Sequence, residues 1–551
     1  MRSFFTNYAS SQSIPLGGRI ARIWRGFLRL RLHWQLFWLN SKVAAHSHPS
    51  SEAQPVVFFN ASARLRGLNL NAAFSLLASW GVQLAGLPVL HFACRSGMSR
   101  CVLGAGLGDP TAPPPCPGCV ADTRRFTASA PTVWFDYQTD PELQSQIASL
   151  SVEEMKDVVY RGRPLGVLTL PSLRWILRRH HLVDDDATRY LCREFILSAH
   201  NVAQKFDAFL SRNEPSVVVI FNGLQYPEAT VRWVALQRGI RVITHEVSFQ
   251  PFSAFFTDGQ ATAYPIDLPD EFELTEAQNE RLDAYLSQRF QGEFTMAGIR
   301  FWPEMRDLEE AFIEQTEQFK QIVPVFTNVI FDTSQLHANT VFSDMFAWLE
   351  TVTEIAAAHP ETLFVIRAHP DEMRKGKESR ENVASWVNER GIEDLPNVVF
   401  VGPGEPLSSY ELIQRAKFIM VYNSSIGLEA TLLGVPVLCG GNARYTQYPT
   451  VFFPSSPTEY AHRAEEFLAA DEIKVPKEYL HNARRFLYYQ LYKVSLPFER
   501  YLKEHPSPGY VQLKRFSWKE LLSERSIGMR TVVGGILNNK KFIILSDKVE
   551  E

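Results

Sequence analysis

Four groups of polar residues in the second half of the chain each follow a short apolar run, and their residue types suit a phosphorylated ligand. The groups are Phe326-Thr327-Asn328, Arg367-Ala368-His369-Pro370-Asp371-Glu372, Gly402-Pro403-Gly404-Glu405 and Tyr422-Asn423-Ser424-Ser425-Ile426-Gly427-Leu428-Glu429. Hydroxyl, imidazole and backbone N–H groups donate hydrogen bonds to phosphate oxygens, and a carboxylate accepts them from a ribose diol. The four groups therefore predict a nucleotide-binding site.

The last of these groups is the most informative. Ser424 or Ser425 is expected to cap a helix beginning near Ile426, where free N–H groups and the helix dipole favour a phosphate. We expect Gly427 to let a ligand approach the backbone and Glu429 to face the same crevice. Each motif also has a structural alternative when taken alone, since Asn-Ser-Ser caps helices and His-Pro ends strands without binding anything.

The elements that must position these groups follow from the apolar pattern. Short apolar runs alternate with helical patterns, which predicts parallel strands buried on both faces. The strands are expected at 55–60, 87–94, 216–223 and 240–246, and then at 323–329, 362–370, 397–404, 417–425 and 435–441. The predicted fold class is α/β, with two tandem Rossmann-like doubly wound domains, a basic N-terminal helix and a helical C-terminal tail. Such sheets bind ligands at the carboxyl ends of their strands, where the four groups fall.

HPDE after an apolar strand, followed by YNSSIGLEATLLGVPVLCGG, resembles the donor-binding domain of GT-B glycosyltransferases, most closely the capsule polysaccharide biosynthesis group that includes bacterial Kdo transferases. FTNVIFD and FNGLQYPE resemble the same group. The resemblance implies that a nucleotide sugar is the donor, that no catalytic metal is needed, that His369, Ser424 and Ser425 contact the phosphates, and that Glu429 lies by the ribose. The predicted nucleotide-sugar-binding residues are Thr327, Asn328, Arg367, His369, Gly404, Asn423, Ser424, Ser425, Gly427 and Glu429.

In this fold the acceptor and the general base usually come from the first domain. Glu246, His245 and Asn222 lie at the ends of adjacent predicted strands, so they are the candidates there, while His369 would stabilise charge on the departing nucleotide. A strand-end carboxylate such as Glu246 can instead cap a helix, and a retaining enzyme needs no base at this position. Arg174, in the basic stretch at 172–186, is a candidate for an acidic acceptor, with a solvated helix face as the alternative.

Composition and charge set the broad class. The chain has 551 residues, of which 45% are hydrophobic, and a formal net charge of −4, which excludes disordered, collagen-like, disulfide-dense and polytopic membrane proteins. Residues 1–50 carry +7, and the remainder carries −11. The predicted organisation is a basic amphipathic segment at 1–50, an acceptor domain at 51–304, a nucleotide-sugar-binding domain at 305–475, and helices with a tail at 476–551.

Residues 19–40 have the pattern of a basic, aromatic-rich amphipathic helix with Arg22, Arg25 and Arg29 on one face. Such a helix either lies in the interface of an anionic membrane or packs on the protein's own surface. Because arginines interrupt its apolar runs, neither a transmembrane span nor a cleaved signal peptide is predicted.

Four of the six cysteines form a cluster with the spacing C-x6-C-x14-C-x2-C, namely Cys94, Cys101, Cys116 and Cys119. These thiols could hold a structural zinc ion or an iron–sulfur cluster, and two disulfides or reduced thiols are the alternatives. Cys192 and Cys439 are expected in the core.

The combined prediction is a cytoplasmic glycosyltransferase, peripheral on the inner face of the cell membrane. It would move a sugar from a nucleotide sugar to a surface polysaccharide or lipid-linked glycan, with an anionic membrane surface as a partner and no nucleic acid. One alternative is a nucleotide-sugar 2-epimerase on the same fold, although the chain lacks that family's Gly-Gly-x-x-Glu-Glu stretch. A non-catalytic glycan-binding protein is another.

Overall fold

The computed structural model describes residues 16–60, 67–102, 109–290, 308–374, 378–507 and 509–545. The chain divides into two compact units, which are described separately. The first unit comprises Met1–Leu177, Leu182–Pro265 and Tyr492–Glu551, and the second comprises Arg178–His181 and Ile266–Leu491.

The first unit contains a mainly parallel sheet covered by helices. Its helices before residue 266 are α1 (Leu16–His46), α2 (Leu70–Leu84), α3 (Cys116–Phe126), α4 (Pro141–Gln146), α5 (Val152–Lys156), α6 (Leu165–Leu177), α7 (Asp186–Asn213) and α8 (Glu228–Gln237). Its strands are β1 (Val56–Asn60), β2 (Val89–Cys94), β3 (Thr132–Phe135), β4 (Val217–Phe221), β5 (Arg241–Val247) and β6 (Ser253–Thr257). Strand β1 is buried along its whole length, as the continuous apolar run VVFFN predicts for a strand covered on both faces.

The second unit contains a smaller, wholly parallel sheet. Its helices are α9 (Glu276–Phe290), α10 (Glu310–Thr316), α11 (Gln335–Ala338), α12 (Met345–Ala358), α13 (Val383–Glu389), α14 (Ser409–Arg415), α15 (Ile426–Leu432), α16 (Pro457–Ala469) and α17 (Lys477–Tyr492). Its strands are β7 (Gln321–Phe326), β8 (Thr362–Arg367), β9 (Val398–Val401), β10 (Ile419–Val421) and β11 (Val437–Cys439). Strand β8 is buried throughout, and its apolar side chains pack with those of α12 in one core.

Both sheets share one strand order. Five of the seven strands in the first sheet run β3-β2-β1-β4-β5, and the second sheet runs β9-β8-β7-β10-β11, so in each sheet the first strand lies between the second and the fourth. This is the order of a Rossmann fold, in which the ligand crevice opens beyond the carboxyl ends of the first and fourth strands, where the strand order reverses. The predicted fold class of two Rossmann-like domains is therefore confirmed.

The chain returns to the first unit after α17. This last segment contains β12 (Leu496–Pro497), β13 (Leu502–Glu504), β14 (Val511–Leu513) and α18 (Ile527–Asn538). Strand β12 pairs antiparallel with β6, and α18 packs on α2. Gly81 permits this packing, because a Cβ there would lie 2.3 Å from Met529 Sδ. The C-terminal segment thus includes short strands as well as the expected helices.

Helix α9 lies in the second unit, although the sequence pattern assigned it to the predicted acceptor domain at 51–304. The physical reason is a buried ion pair, in which Arg289 Nη2 of α9 lies 2.5 Å from Glu429 Oε1 of α15. The predicted domain boundary after residue 304 falls in 291–307, outside the described residues.

Helix α1 buries one face within the first unit. Leu28, Leu36, Leu39 and Val43 are buried, and Arg29 Nη2 lies 3.5 Å from Asp122 Oδ1 of α3. Packing on the protein's own surface is therefore observed for this face. In the part of the chain that the structure describes, no helix has the length and apolarity needed to cross a bilayer.

Candidate functional site

The polar residues that follow β7 and β10 meet at the switch point of the second sheet. Asn328 Nδ2 donates to Asn423 Oδ1 over 2.7 Å, and Gln335 Nε2 donates to the same oxygen over 3.2 Å. The structure thus brings two predicted residues from two strand ends together. Gln335 was missed in the sequence because α11, with four residues, is too short for a helical period to show.

The side chains of Thr327 and Arg367 form hydrogen bonds with backbone carbonyls of the second unit. Thr327 Oγ1 donates to the Arg367 carbonyl over 3.1 Å. The Arg367 guanidinium donates to the carbonyls of Gly402 and Glu405 at 3.3 and 2.9 Å, and burial lowers the pKa of Arg367 to about 10. Arg367 therefore holds the loop after β9, in which Gly404 is exposed.

His369 follows β8 and begins the short 3-10 turn Pro370–Met373. Its Nδ1 accepts a hydrogen bond from the Asp371 N–H over 3.2 Å, so the neutral ring carries its proton on Nε2. Burial lowers the pKa of His369, and this outweighs the opposite effect of Asp371 and Asp332. The ring is therefore a neutral Nε2–H donor near pH 7.

The turn after β10 differs from the prediction in two respects. Ser425 occupies the N-cap position of α15, but its side chain makes no capping hydrogen bond and donates instead to Glu429 Oε1 over 3.3 Å. A Cβ at Gly427 would lie 2.3 Å from Tyr445 Oη, so the packing of Tyr445 explains the missing side chain. The Tyr445 hydroxyl also donates to the Ser424 carbonyl over 2.8 Å, which fixes this turn.

Glu429 is the acceptor in a buried hydrogen-bond network. Its carboxylate accepts from Arg289, from Ser425 and from the Tyr410 hydroxyl. Burial lowers the pKa of Arg289, but the attraction of the nearby Glu429 carboxylate is stronger, so the pKa of Arg289 is raised overall. Burial, followed by the charge on Glu429, raises the pKa of Tyr410. Arg289 was missed because it lies in a charged segment whose pattern resembles a linker.

Glu372, the last residue of the HPDE motif, is buried beside the start of α13. Burial raises the pKa of Glu372 to about 8, although the Val383 N–H, which donates to Oε1 over 3.1 Å, favours the charged form. The carboxyl is therefore protonated in the folded protein at pH values at which it is ionised in the unfolded chain.

We expect Glu372→Gln to stabilise the protein at pH 8 and to have little effect near pH 4.5. Between 4.5, its ordinary value, and its folded pKa of about 8, the folded protein holds a proton that the unfolded chain has released. The free energy of unfolding of the wild type therefore falls by up to about 1.4 kcal/mol per pH unit as the pH rises. Urea melts across this range measure the difference between the two proteins.

Glutamine keeps an oxygen that can accept from the Val383 N–H, so the substitution removes only the ionisation. The exposed Glu393 provides the matched control, since Glu393→Gln should show no such divergence. A stability difference between wild type and Glu372→Gln that stays constant with pH would contradict the assignment.

In the first unit, Glu246 lies between two amides at the carboxyl end of β5. Its Oε1 accepts from Asn71 Nδ2 over 2.8 Å and its Oε2 accepts from Asn222 Nδ2 over 3.0 Å. Asn222 has a φ of 62°, and its Oδ1 accepts from the Leu224 N–H over 3.0 Å, which fixes the amide orientation. Because Asn71 lies on α2, which follows β1, these residues meet at the switch point of the first sheet; Asn71 was not predicted.

His245 is separated from this group. Neighbouring strand residues point to opposite faces of a sheet, and the ring of His245 is 0% exposed, with Phe221 and Phe256 centroids 6.1 and 5.2 Å away. A ring buried in this way does not reach a substrate, so the structure removes His245 from the candidate acceptor site. Arg174 is half-buried on α6.

The six cysteines all lie within the described residues and form no disulfide. Burial raises the pKa of Cys94, and the neighbouring Cys101, Cys119 and Cys116 raise it further, so the four thiols of the predicted cluster lie near one another. No three of these described residues place their sulfur atoms within 4.8 Å of one another. A metal ion at this cluster stays a prediction.

Residues 298–448 match the family model described as capsule polysaccharide biosynthesis protein. Protein FixF of Sinorhizobium fredii (strain NBRC 101917 / NGR234) is 28% identical over 237 residues, which are 42% of this chain and 49% of that protein. The chain therefore matches about half the length of this relative.

The chain is also similar to two solved structures. KpsC, beta Kdo 2,7 transferase, of Thermosulfurimonas dismutans has a TM-score of 0.32 and 15% identity, covering 59% of this chain and 90% of that one. The UDP-GlcNAc 2-epimerase from Neisseria meningitidis bound to UDP-GlcNAc has a TM-score of 0.23 and 11% identity, covering 79% and 99%. The resemblance predicted from the strand-end motifs is confirmed by the family match: residues 298–448, within the second unit, have the sequence pattern of the capsule polysaccharide biosynthesis family.

Proposed function

We propose that the chain is a glycosyltransferase that moves a sugar from a nucleotide-activated donor to a glycan or lipid-linked acceptor. The observation that carries the proposal is the switch point of the second sheet, where Asn328 and Asn423 join two strand ends by a hydrogen bond of 2.7 Å. Both residues lie in the range that matches the capsule polysaccharide family. A Rossmann-like sheet binds nucleotides at this position.

The donor would be held by the second unit. The Nε2–H of His369 is suited to donate to a phosphate oxygen, where it would stabilise the charge that develops as the nucleotide leaves. The hydroxyls of Ser424 and Ser425 are further donors for the phosphates. Glu429 would contact the ribose only by sharing oxygens that now accept from Arg289 and Tyr410.

The acceptor would be held by the first unit, with Glu246 as the general base. The acceptor hydroxyl would lose its proton to Glu246 while its oxygen bonds to the anomeric carbon and the bond from that carbon to the phosphate breaks. Asn71 and Asn222 support this role, because their amides hold both carboxylate oxygens in place.

The test is a transfer assay with UDP-, CMP-, GDP- and dTDP-sugars, with and without glycan or lipid-linked acceptors. We expect one donor to release its nucleotide only when an acceptor is present, and the same nucleotide to raise the melting temperature. Replacing His369 with Ala should remove most of the turnover. Isomerisation of the donor without transfer would instead favour the 2-epimerase, and retention of function by His369→Ala would favour a glycan-binding protein.

The exposed face of α1 supports an anionic membrane surface as a partner. Six large apolar residues on this helix have 44% to 68% of their surface exposed, namely Trp24, Phe27, Leu30, Trp34, Phe37 and Trp38. Their spacing repeats at helical intervals opposite the buried Leu28, Leu36 and Leu39. Aromatic residues on a basic helix suit the headgroup region of an anionic bilayer.

We expect the protein to float with vesicles containing phosphatidylglycerol, and a variant with Trp24, Trp34 and Phe37 replaced by Ser to partition at least about tenfold less. Burying each large apolar side chain contributes about 1.5–3 kcal/mol, so three replacements have a large combined effect. Serine at the exposed Val167 and Leu236, which lie elsewhere in the same unit, is the control. Equal flotation of the α1 variant and this control would contradict a membrane role for α1.

A further inference from the structure

Residues 178–181, Arg-Arg-His-His, pack with the second unit, although the chain on either side of them packs with the first. Arg178 and His180 are buried, whereas the sequence suggested a solvated helix face. Glu381 Oε2 accepts from the backbone N–H groups of His180 and His181 at 2.7 and 3.0 Å. The segment is therefore anchored by a residue 200 positions away in sequence.

Three groups able to bind a metal converge at this anchor. His180, His181 and Asp344 each place one ligand atom within 4.8 Å of the others. His181 Nε2 lies 3.4 Å from Asp344 Oδ2, and the two imidazole centroids are 4.9 Å apart. Two ligand atoms bound to a tetrahedral zinc ion at 2.0–2.1 Å lie about 3.3 Å apart. The separation between His181 and Asp344 thus already matches that of zinc ligands.

The residues around His181 and Asp344 orient these two ligands. His181 Nδ1 lies 2.5 Å from Glu381 Oε1, which leaves Nε2 facing Asp344. Asp344 caps α12, and its Oδ1 accepts from the N–H groups of Phe346 and Ala347 at 2.8 and 3.1 Å. Its Oδ2 is therefore directed towards His181. Metal-binding histidines in proteins commonly have a carboxylate on their second nitrogen in this way.

We propose that His180, His181 and Asp344 bind a divalent cation of the zinc class, and that this ion fastens residues 178–181 to the second unit. Two imidazoles and one carboxylate are a known zinc-binding combination that leaves a fourth position for water. The carboxylates of Asp344 and Glu381 together balance the charge of the ion. In the metal-bound form, the cation would link His181 Nε2 to Asp344, in place of a proton shared between them. This site is separate from the four-cysteine cluster and does not depend on the proposed transferase activity.

The test is zinc binding by the full-length protein carrying Cys116→Ser and Cys119→Ser, so that the cysteine cluster does not contribute. After chelation and removal of the chelator, we expect calorimetry and elemental analysis to show one equivalent of zinc, and the melting temperature to rise with zinc. His181→Ala should abolish uptake. Asp344→Asn keeps a helix-capping side chain but removes the ligand charge, so the protein should still fold while binding weakens. Glu381→Gln should weaken binding by about 10–100-fold.

His359 provides a matched control in the same unit. Its ring also lies between two carboxylates, 3.2 Å from Glu361 and 2.7 Å from Glu465, but these contact opposite ring nitrogens. Among the described residues, these three groups do not place one ligand atom each within 4.8 Å of the others. His359→Ala should therefore leave zinc uptake unchanged. The proposal is overturned if the background carrying Cys116→Ser and Cys119→Ser binds no zinc, or if uptake is the same in His181→Ala, Asp344→Asn and His359→Ala; His181 would then act only as an ion-pair bridge between Asp344 and Glu381.

Discussion

Replacing Glu246 with Gln is expected to lower kcat for sugar transfer by about 10²–10⁴-fold, the usual contribution of a positioned general base. The carboxylate accepts from Asn71 and Asn222 at 2.8 and 3.0 Å, so its orientation is fixed before the acceptor binds. A glutamine cannot take the proton of the acceptor hydroxyl. The acidic limb of the kcat–pH profile should disappear together with the rate, which a purely structural change would not cause.

The assay needs a control for folding, because a glutamine would set its NH2 group against an amide donor of Asn71 or Asn222. Nucleotide-dependent stabilisation should persist in Glu246→Gln, since the predicted nucleotide residues lie in the second unit. Glu52→Gln, at an exposed carboxylate in the first unit, should transfer sugar like the wild type. Full activity in Glu246→Gln would mean that another group takes the proton, or that the reaction needs no base here.

Replacing Arg289 with Met is expected to lower the free energy of unfolding by about 3–5 kcal/mol, the usual cost of leaving one buried charge without its partner. Arg289 and Glu429 have 12% and 7% of their side-chain surface exposed, and their ionised groups lie 2.5 Å apart. Without the guanidinium, Glu429 would keep only the hydroxyls of Tyr410 and Ser425. Urea or thermal denaturation measures the loss.

An exposed ion pair with the same separation serves as the control, because it distinguishes the effect of burial from that of the ionic contact itself. Arg390 and Glu350 also lie 2.5 Å apart but have 55% and 45% exposed, so Arg390→Met should cost less than about 1 kcal/mol. Adding Glu429→Gln to Arg289→Met should recover part of the stability, because no buried charge then remains. Equal losses at the two arginines would show that burial of the first pair contributes nothing.

The strands that the sequence predicted were those with long apolar runs. The run VVFFN in β1 and the run TLFVIR in β8 are buried throughout, so their composition alone identifies them. The run TVWF in β3 is short and half-exposed, and no periodic pattern distinguishes it. Strand β12 has two residues and pairs with β6 after the whole second unit has intervened. Pairing over such a distance depends on tertiary packing, which local sequence does not encode.

The contacts within the candidate sites were likewise predictable from the sequence only in part. Parallel strands end at one edge of a sheet, so Asn328 and Asn423 could be placed together from sequence. The contacts of Asn71 with Glu246 and of Arg289 with Glu429 span distant segments, and no spacing predicts them. The separation of His245 from Glu246 was predictable, because adjacent residues of a strand point to opposite faces. A glycine at position 427 is expected whether Tyr445 or a ligand lies against the backbone there, so the sequence alone could not distinguish the two.

The interrupted chain path of the first unit sets the order in which the protein can fold during synthesis. Strand β12 and helix α18 complete this unit, yet the ribosome makes them only after residues 266–491. At about 5–20 residues per second, this delay is roughly 10–45 s. During that time the edge of β6 and the surface of α2 around Gly81 lack their final neighbours. The second unit is contiguous apart from residues 178–181, which are made before it, so it can fold first and the first unit is completed last.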